Sequence, residues 1–163
     1  MSRLDSFIRR LEAQRGCLNH CAGLIAEVDG PILEVGLGNG RTFDHLREIF
    51  PSREIFVFER KVMAHPDCVP DARHLFLGPI GKTLPEAARR FAGEVALIHA
   101  DLGSGRPEID RRTAATLSRH IPRLLAPQGV VLSDLTLQIA GAEALALPAG
   151  VAPGRYGIHR LAG

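Results

Sequence analysis

The segment Ile32-Leu33-Glu34-Val35-Gly36-Leu37-Gly38-Asn39-Gly40 constrains the fold more than any other part of the chain. An apolar run of strand length passes directly into three glycines, and Arg41 to Phe50 then continues at helical spacing. Glycine allows positive φ at a sharp strand-to-helix turn and lets a ligand approach the backbone where a Cβ would collide. The helix that follows presents N–H groups with no intrahelical partner at its start. A turn of this kind belongs to an open parallel sheet, whose ligands settle beyond the carboxyl ends of the strands, near the point where strand order reverses.

The rest of the chain alternates in the same way, which predicts a parallel sheet covered by helices. After the first strand, Pro31 to Val35, further strands are expected at Glu54–Phe58, Arg73–Leu77, Glu94–His99 and Gly129–Ser133. Helices are expected at Thr83–Phe91, with Pro85 in its first turn, and at Pro107–Leu125, kinked or ended early by Pro122. Thr136–Leu147 also reads as a helix, and Arg155–Leu161 alternates like a final edge strand. Ahead of the first strand, Leu4, Phe7, Ile8 and Leu11, then Leu18, Cys21, Ala22 and Ile25, recur at helical spacing, which predicts two helices or one broken near Gly16. The 163 residues suit one domain, with a helical region over 1–29 and an α/β core over 30–163.

Spacing and charge narrow the ligand. A dinucleotide site wants G-x-G-x-x-G with pyrophosphate on the helix start, whereas these glycines run G-x-G-x-G and Arg41 stands where the third is needed. Glu34, two residues before Gly36, would repel a pyrophosphate but suits a cationic ligand. No Gly-Lys-Ser/Thr follows, so a P-loop is excluded. Glu59 closes the second strand 19 residues after Gly40, where a carboxylate can accept hydrogen bonds from both hydroxyls of a ribose.

Glu34-Val35-Gly36-Leu37-Gly38-Asn39-Gly40 resembles the E/D-x-G-x-G-x-G signature of class I S-adenosylmethionine (SAM)-dependent methyltransferases, and Glu59 matches that family's ribose-binding acid. The order of elements from Pro31 to Ser133 fits the family's first five strands, and the chain is also similar to short bacterial SAM-methyltransferase-like proteins. The resemblance implies a three-layer, Rossmann-like open sheet, mostly parallel, with SAM as cofactor. By position, Gly36, Leu37, Gly38, Asn39 and Gly40 would line the methionine and ribose side of SAM. Glu34 would orient its amino group, and Glu59 with Arg60 would hold the ribose. The loop Gly78-Pro79-Ile80 would read adenine; Pro79 stands where the family often has an acid, so the backbone N–H of Ile80 or Gly81 would serve instead, and Asp101 and Leu102 would flank the methyl group. Asp101 and His99 are the candidates for a catalytic base, expected with Asp134 to face one crevice at the ends of the fourth and fifth strands. Catechol-type enzymes of the family hold magnesium with acids after these two strands; this chain has Leu135 where they have Asn, and no metal is expected.

The family closes its sheet with a sixth and an antiparallel seventh strand. Only one strand is legible after Ser133, which predicts a shortened end, an uncovered sheet edge and a homo-oligomer formed through it. A net charge of +2 gives no electrostatic case for nucleic acid, and no apolar run approaches the ~18 residues of a membrane span. Without a signal-like N-terminus, a cytoplasmic location is expected, with Cys17, Cys21 and Cys68 reduced. Cys17 and Cys21 lack a second ligand pair and read as a packed helix face, not a zinc site. The reading is methyl transfer from SAM to a small molecule. A non-catalytic SAM-binding or interaction module is the alternative, and an NAD-dependent oxidoreductase fits the sheet but not the glycine spacing.

Overall fold

The computed structural model describes residues 2–163. Helix α1 (Arg3–Leu24) comes first, then β1 (Ile32–Val35), α2 (Arg41–Ile49), β2 (Ile55–Glu59), β3 (Leu75–Leu77), α3 (Ile80–Arg90), β4 (Val95–Ala100), α4 (Pro107–Leu124), β5 (Leu125–Ser133), β6 (Ala142–Leu145) and β7 (Gly157–Leu161). The strands form one sheet in the order β3-β2-β1-β4-β5-β7-β6. The first five are parallel, while β7 runs antiparallel to both β5 and β6.

Burial on both faces makes the parallel strands continuously apolar. In β1, Ile32 enters a core shared with Cys17, Leu18 and Cys21 of α1 and with Phe43 and Leu46 of α2. Its neighbour Leu33 points the other way, into a core with Leu84 and Ala87 of α3 and Leu117, Ile121 and Leu124 of α4. The two periods of the chain, two along strands and 3.6 along helices, thus generate the three layers.

Helix α1 is continuous through Gly16, not broken there. A mid-helix glycine costs only about 1 kcal/mol relative to alanine, which the stripe of Ala13, Cys17, Leu18 and Cys21 buried against the sheet offsets. Cys17 and Cys21 are free thiols in this stripe, and burial pushes them up to about 11 and about 12. Helix α3 begins at Ile80, ahead of the expected Thr83, so Pro85 lies inside it, and α4 continues past Pro122.

The C-terminal end departs most from expectation. Thr136–Leu147 is not a helix: Gly141 takes a φ of 76° and Ala142–Leu145 is strand β6. Seven strands are present, so the end is short because a helix is missing, not a strand. The edge of β5 is covered by β7 of the same chain, which removes the reason given for oligomerisation through it. The edges are now β3 and β6, of three and four residues. Short edge strands are one way sheets resist edge-to-edge pairing. No helix is long and apolar enough to cross a membrane.

Candidate functional site

Chain order reverses between β1 and its neighbour β4, so the crevice of this sheet opens beyond Val35 and Ala100. The glycine segment turns there. Gly36 N–H donates to Phe58 O at 2.9 Å, and Gly40 N–H donates to Leu37 O at 2.8 Å before α2 begins. The three glycines serve different ends. A Cβ on Gly36 would lie 2.7 Å from Leu102 Cδ2, and one on Gly40 would lie 2.5 Å from Cys68 Cβ. A Cβ on Gly38 would meet nothing within 4 Å. Gly36 and Gly40 therefore let the turn pack against its own protein, while Gly38 borders open space.

Glu59 reaches across from the tip of β2. Its Oε2 accepts from Leu37 N–H (3.0 Å) and Gly38 N–H (3.1 Å), and its Oε1 from Arg60 N–H (2.7 Å) and Lys61 N–H (3.2 Å). The carboxylate is fixed against the glycine turn while remaining partly accessible.

Glu34 and His99 are both fully buried, so His99 does not face the crevice as expected and Glu34 is turned away from it. On neighbouring strands they sit side by side in the sheet register, and His99 Nδ1 lies 2.6 Å from Glu34 Oε2. The other oxygen of Glu34 accepts from the Thr42 hydroxyl in the first turn of α2. Burial disfavours the charged imidazole, but the charge and hydrogen bond of Glu34, aided by Asp101 and Asp134, hold its pKa above the ordinary value. His99 Nε2 has no partner among the described residues. The pair ties β1, β4 and α2 together beneath the turn.

Asp101 and Asp134 do lie together at the strand ends. Asp134 accepts from Leu102 N–H (3.0 Å) and Gly103 N–H (2.8 Å), which fixes the loop after β4. Burial and the hydrogen bond to Asp101, with that group's charge, push Asp134 up to about 7. Burial also acts to raise Asp101, but the hydrogen bond from Asp134 and the charges of Arg10 and His99 hold it below its ordinary value. The two neighbouring carboxyls are thus displaced in opposite directions from the ordinary value.

Residues that sequence reasoning passed over come from α1. Phe7, Arg10, Leu11 and Gln14 form the roof of a cavity of about 190 Å³ whose floor is Gly36, Leu37, Gly38 and Asn39, with Arg41, Thr42 and Asp101 at its sides. Arg10 Nη2 bonds Asp101 Oδ1 at 2.9 Å and Oδ2 at 3.0 Å, and Gln14 Nε2 bonds Oδ2 at 2.5 Å. Arg10 and Asp101 are 91 positions apart, so no local spacing could announce the pair. Arg60, Gly78, Pro79 and Ile80 lie outside this cavity, around the ends of β2 and β3. There Gly78 N–H donates to Glu59 O at 2.9 Å, and Leu77 and Pro79 are exposed. No group of three or more His, Cys, Asp or Glu placed to hold a metal occurs among the described residues.

Pockets for whole cofactors span roughly 300–1,000 Å³, so the cavity fits only one end of a nucleoside–amino-acid conjugate. Acidic groups beside the turn, space at Gly38 and the sheet's switch point together suit a cationic sulfonium nucleoside. The sheet order is that of class I SAM-dependent methyltransferases.

The chain belongs to the S-adenosyl-L-methionine methyltransferase family, whose model matches residues 1–161. It is similar to an S-adenosyl-L-methionine methyl transferase from Silicibacter pomeroyi DSS-3, at 45% identity, with 98% of this chain and 99% of that one covered and a TM-score of 0.92. More remote likeness, of fold alone, extends to the antibiotic-resistance methyltransferase Kmr (14% identity, 86% and 90% covered, TM-score 0.58). Human methyltransferase-like protein 13, solved in complex with SAH (S-adenosylhomocysteine), is alike to the same degree (16% identity, 97% and 80% covered, TM-score 0.54). No curated protein sequence matches the chain. It is a SAM-dependent methyltransferase by family.

Proposed function

We propose that the chain methylates a small molecule, which reaches the methyl group past the α1 residues that roof the glycine turn. The observation that carries this reading is the roof: Phe7, Arg10, Leu11 and Gln14 of α1 leave a narrow space over Gly38, not an open trough. Charge supports it as well. The net charge is only +2, and several surface arginines are neutralised locally, as in Arg111 and Arg112 on Glu108 and Arg47 on Asp44. A nucleic-acid substrate calls for an unbroken basic surface.

In this reading Gly38 leaves space for the cofactor, Glu59 accepts from its ribose hydroxyls, and backbone N–H groups of Ile80 and Gly81 lie within reach of its base. Bound SAM supplies an activated methyl group that leaves as a cation equivalent, with a neutral thioether left behind. The protein's contribution is chiefly alignment of the acceptor with the methyl, which can be worth several kcal/mol, about 7–11 in the best intramolecular models. Where the acceptor must lose a proton, the Asp101–Asp134 pair replaces His99 as the base, because it lies at the strand ends while His99 is sealed inside.

Incubation of the protein with methyl-labelled SAM and separated cell fractions tests this. Label should enter a low-molecular-weight fraction. Label confined to RNA or protein would overturn the small-molecule acceptor. Binding of SAM with no transfer to any fraction would favour a non-catalytic module.

A further inference from the structure

The large apolar side chains that the fold leaves exposed are gathered at one end of the sheet. Leu4, Phe7 and Ile8 stand on the first two turns of α1, Met63 on the loop after β2, Leu77 at the last residue of β3 and Ile109 in the first turn of α4. They are between 42% and 71% exposed. The loop after β2 and the end of β3 lie at the carboxyl edge of the parallel strands. Helix α4 sets out from the same edge, since it follows β4, and the bond from Arg10 to Asp101 brings the start of α1 there. Among the described residues, no large hydrophobic side chain is exposed at the opposite edge. Singly exposed apolar residues are ordinary; it is their segregation to one end that calls for a cause. The charges of this rim are sorted as well. The acids Asp5, Glu59, Glu108 and Asp110 are engaged within the protein, by the Ser2 cap, by four backbone N–H groups, by Arg111 and Arg112, and by Ser104. Asp67 lies beside His65. Arg3, Lys61, Lys82 and Arg106 are exposed, and their side chains have no partner among the described residues.

We propose that this end of the sheet docks onto an anionic lipid bilayer, with the exposed apolar side chains entering the headgroup layer and the free cations pairing with lipid phosphates. Such docking stands apart from the methyl-transfer reading and requires no turnover. A bilayer answers both features of the rim at once, because it sets an apolar layer directly beneath a sheet of negative charge. A nucleic acid would use the cations but would press the apolar side chains against phosphate. A protein partner, a second copy included, needs a contiguous, closely packed centre. Here the apolar side chains stand on four elements around a crevice, with charges between them. A fluid surface needs no such centre. Sequence neighbours also put a cation beside the apolar tips: Arg3 beside Leu4, Lys61 near Met63 and Arg106 near Ile109. The long stems of these cations let the charge stay at the headgroups while the apolar neighbour goes deeper. No helix is long and apolar enough to cross the membrane, so the contact is at its surface.

Vesicle binding by the full chain tests this. Co-sedimentation with phosphatidylcholine vesicles should be weak, and phosphatidylglycerol mixed into them should strengthen it by about tenfold or more, an increase lost in high salt. The chain contains no tryptophan, so a single introduced one reports which end meets the lipid. Met63→Trp and Ile109→Trp should each show blue-shifted emission on the mixed vesicles and quenching by brominated lipid. Arg89→Trp, near the far end of α3, should show neither. Lys61→Glu combined with Arg106→Glu should abolish the gain from phosphatidylglycerol, and Ile8→Ser combined with Ile109→Ser should weaken binding to the mixed vesicles by about tenfold. All four positions are exposed, so melting temperatures at the wild-type value should report that both variants fold. Absence of binding to the mixed vesicles, equal binding to both kinds, or an Arg89→Trp spectrum that shifts while the rim tryptophans do not overturns the docking. So does a protein that ignores vesicles but self-associates in light scattering, which would give the rim to a second copy.

Discussion

Replacing Glu34 by alanine tests the linkage between the buried core of this fold and its cofactor turn. The substitution leaves His99 with neither ring nitrogen partnered and frees the Thr42 hydroxyl, all beneath a fully buried strand pair. Removing one member of a buried, hydrogen-bonded pair costs about 3–5 kcal/mol, a large part of the roughly 5–15 kcal/mol that holds a domain together. The cost depends on pH with a definite sign. His99 has its folded pKa raised above the ordinary value of 6.5. Its contribution is therefore complete below that value and is lost as pH rises through the folded pKa. In Glu34→Ala burial, the largest influence on His99, is opposed only by the more distant charges of Asp101 and Asp134 and lowers the pKa, so acid destabilises the variant further. Urea unfolding followed by circular dichroism at a series of pH values from mildly acidic to mildly alkaline should show the largest gap between the proteins at the acidic end, narrowing upward. A gap below about 1 kcal/mol, or one constant with pH, would refute the idea that His99 is charged and held by Glu34.

Gly38→Ala should fold with a penalty of about 1–2 kcal/mol for its left-handed backbone, yet lose SAM affinity sharply because its Cβ enters the open space beside the turn. Gly40→Ala should show the reverse emphasis, a lower melting temperature from collision with Cys68; equal effects of the two on binding and melting would dissolve the distinction. Glu59→Ala should weaken S-adenosylhomocysteine binding by about 1.5–3 kcal/mol in calorimetry, and an unchanged affinity would remove Glu59 from the site. Asp134 carries a proton up to about 7 against an ordinary 3.8, so wild-type stability should fall as pH rises across that window. Asp134→Asn should flatten that part of the curve, and an unaltered slope would show that the proton resides elsewhere.

The sequence on its own determined the first five strands, the glycine turn and the acid at the tip of β2. These are local quantities. Apolar runs report burial on two faces, glycines report where a Cβ is forbidden, and a strand end fixes where Glu59 must lie. It could not distinguish the reasons for the glycines, since Gly36 and Gly40 answer to Leu102 and Cys68, which are distant along the chain. Nor could it tell that Glu34, at the motif's acidic position, is turned inward to His99. Which buried face a carboxylate meets depends on the register between β1 and β4.

Tertiary structure alone decided the C-terminal end and the roof. Ala142–Leu145 has helical composition, yet the hydrogen-bonding edge of β7 claims it as a strand, because pairing across a sheet outweighs a propensity of tenths of a kcal/mol per residue. Arg10 and Gln14 read as an ordinary polar helix face until α1 is laid over the sheet. Only then does the Arg10 guanidinium meet Asp101, since ion pairing depends on distance in space and sequence pattern records distance along the chain.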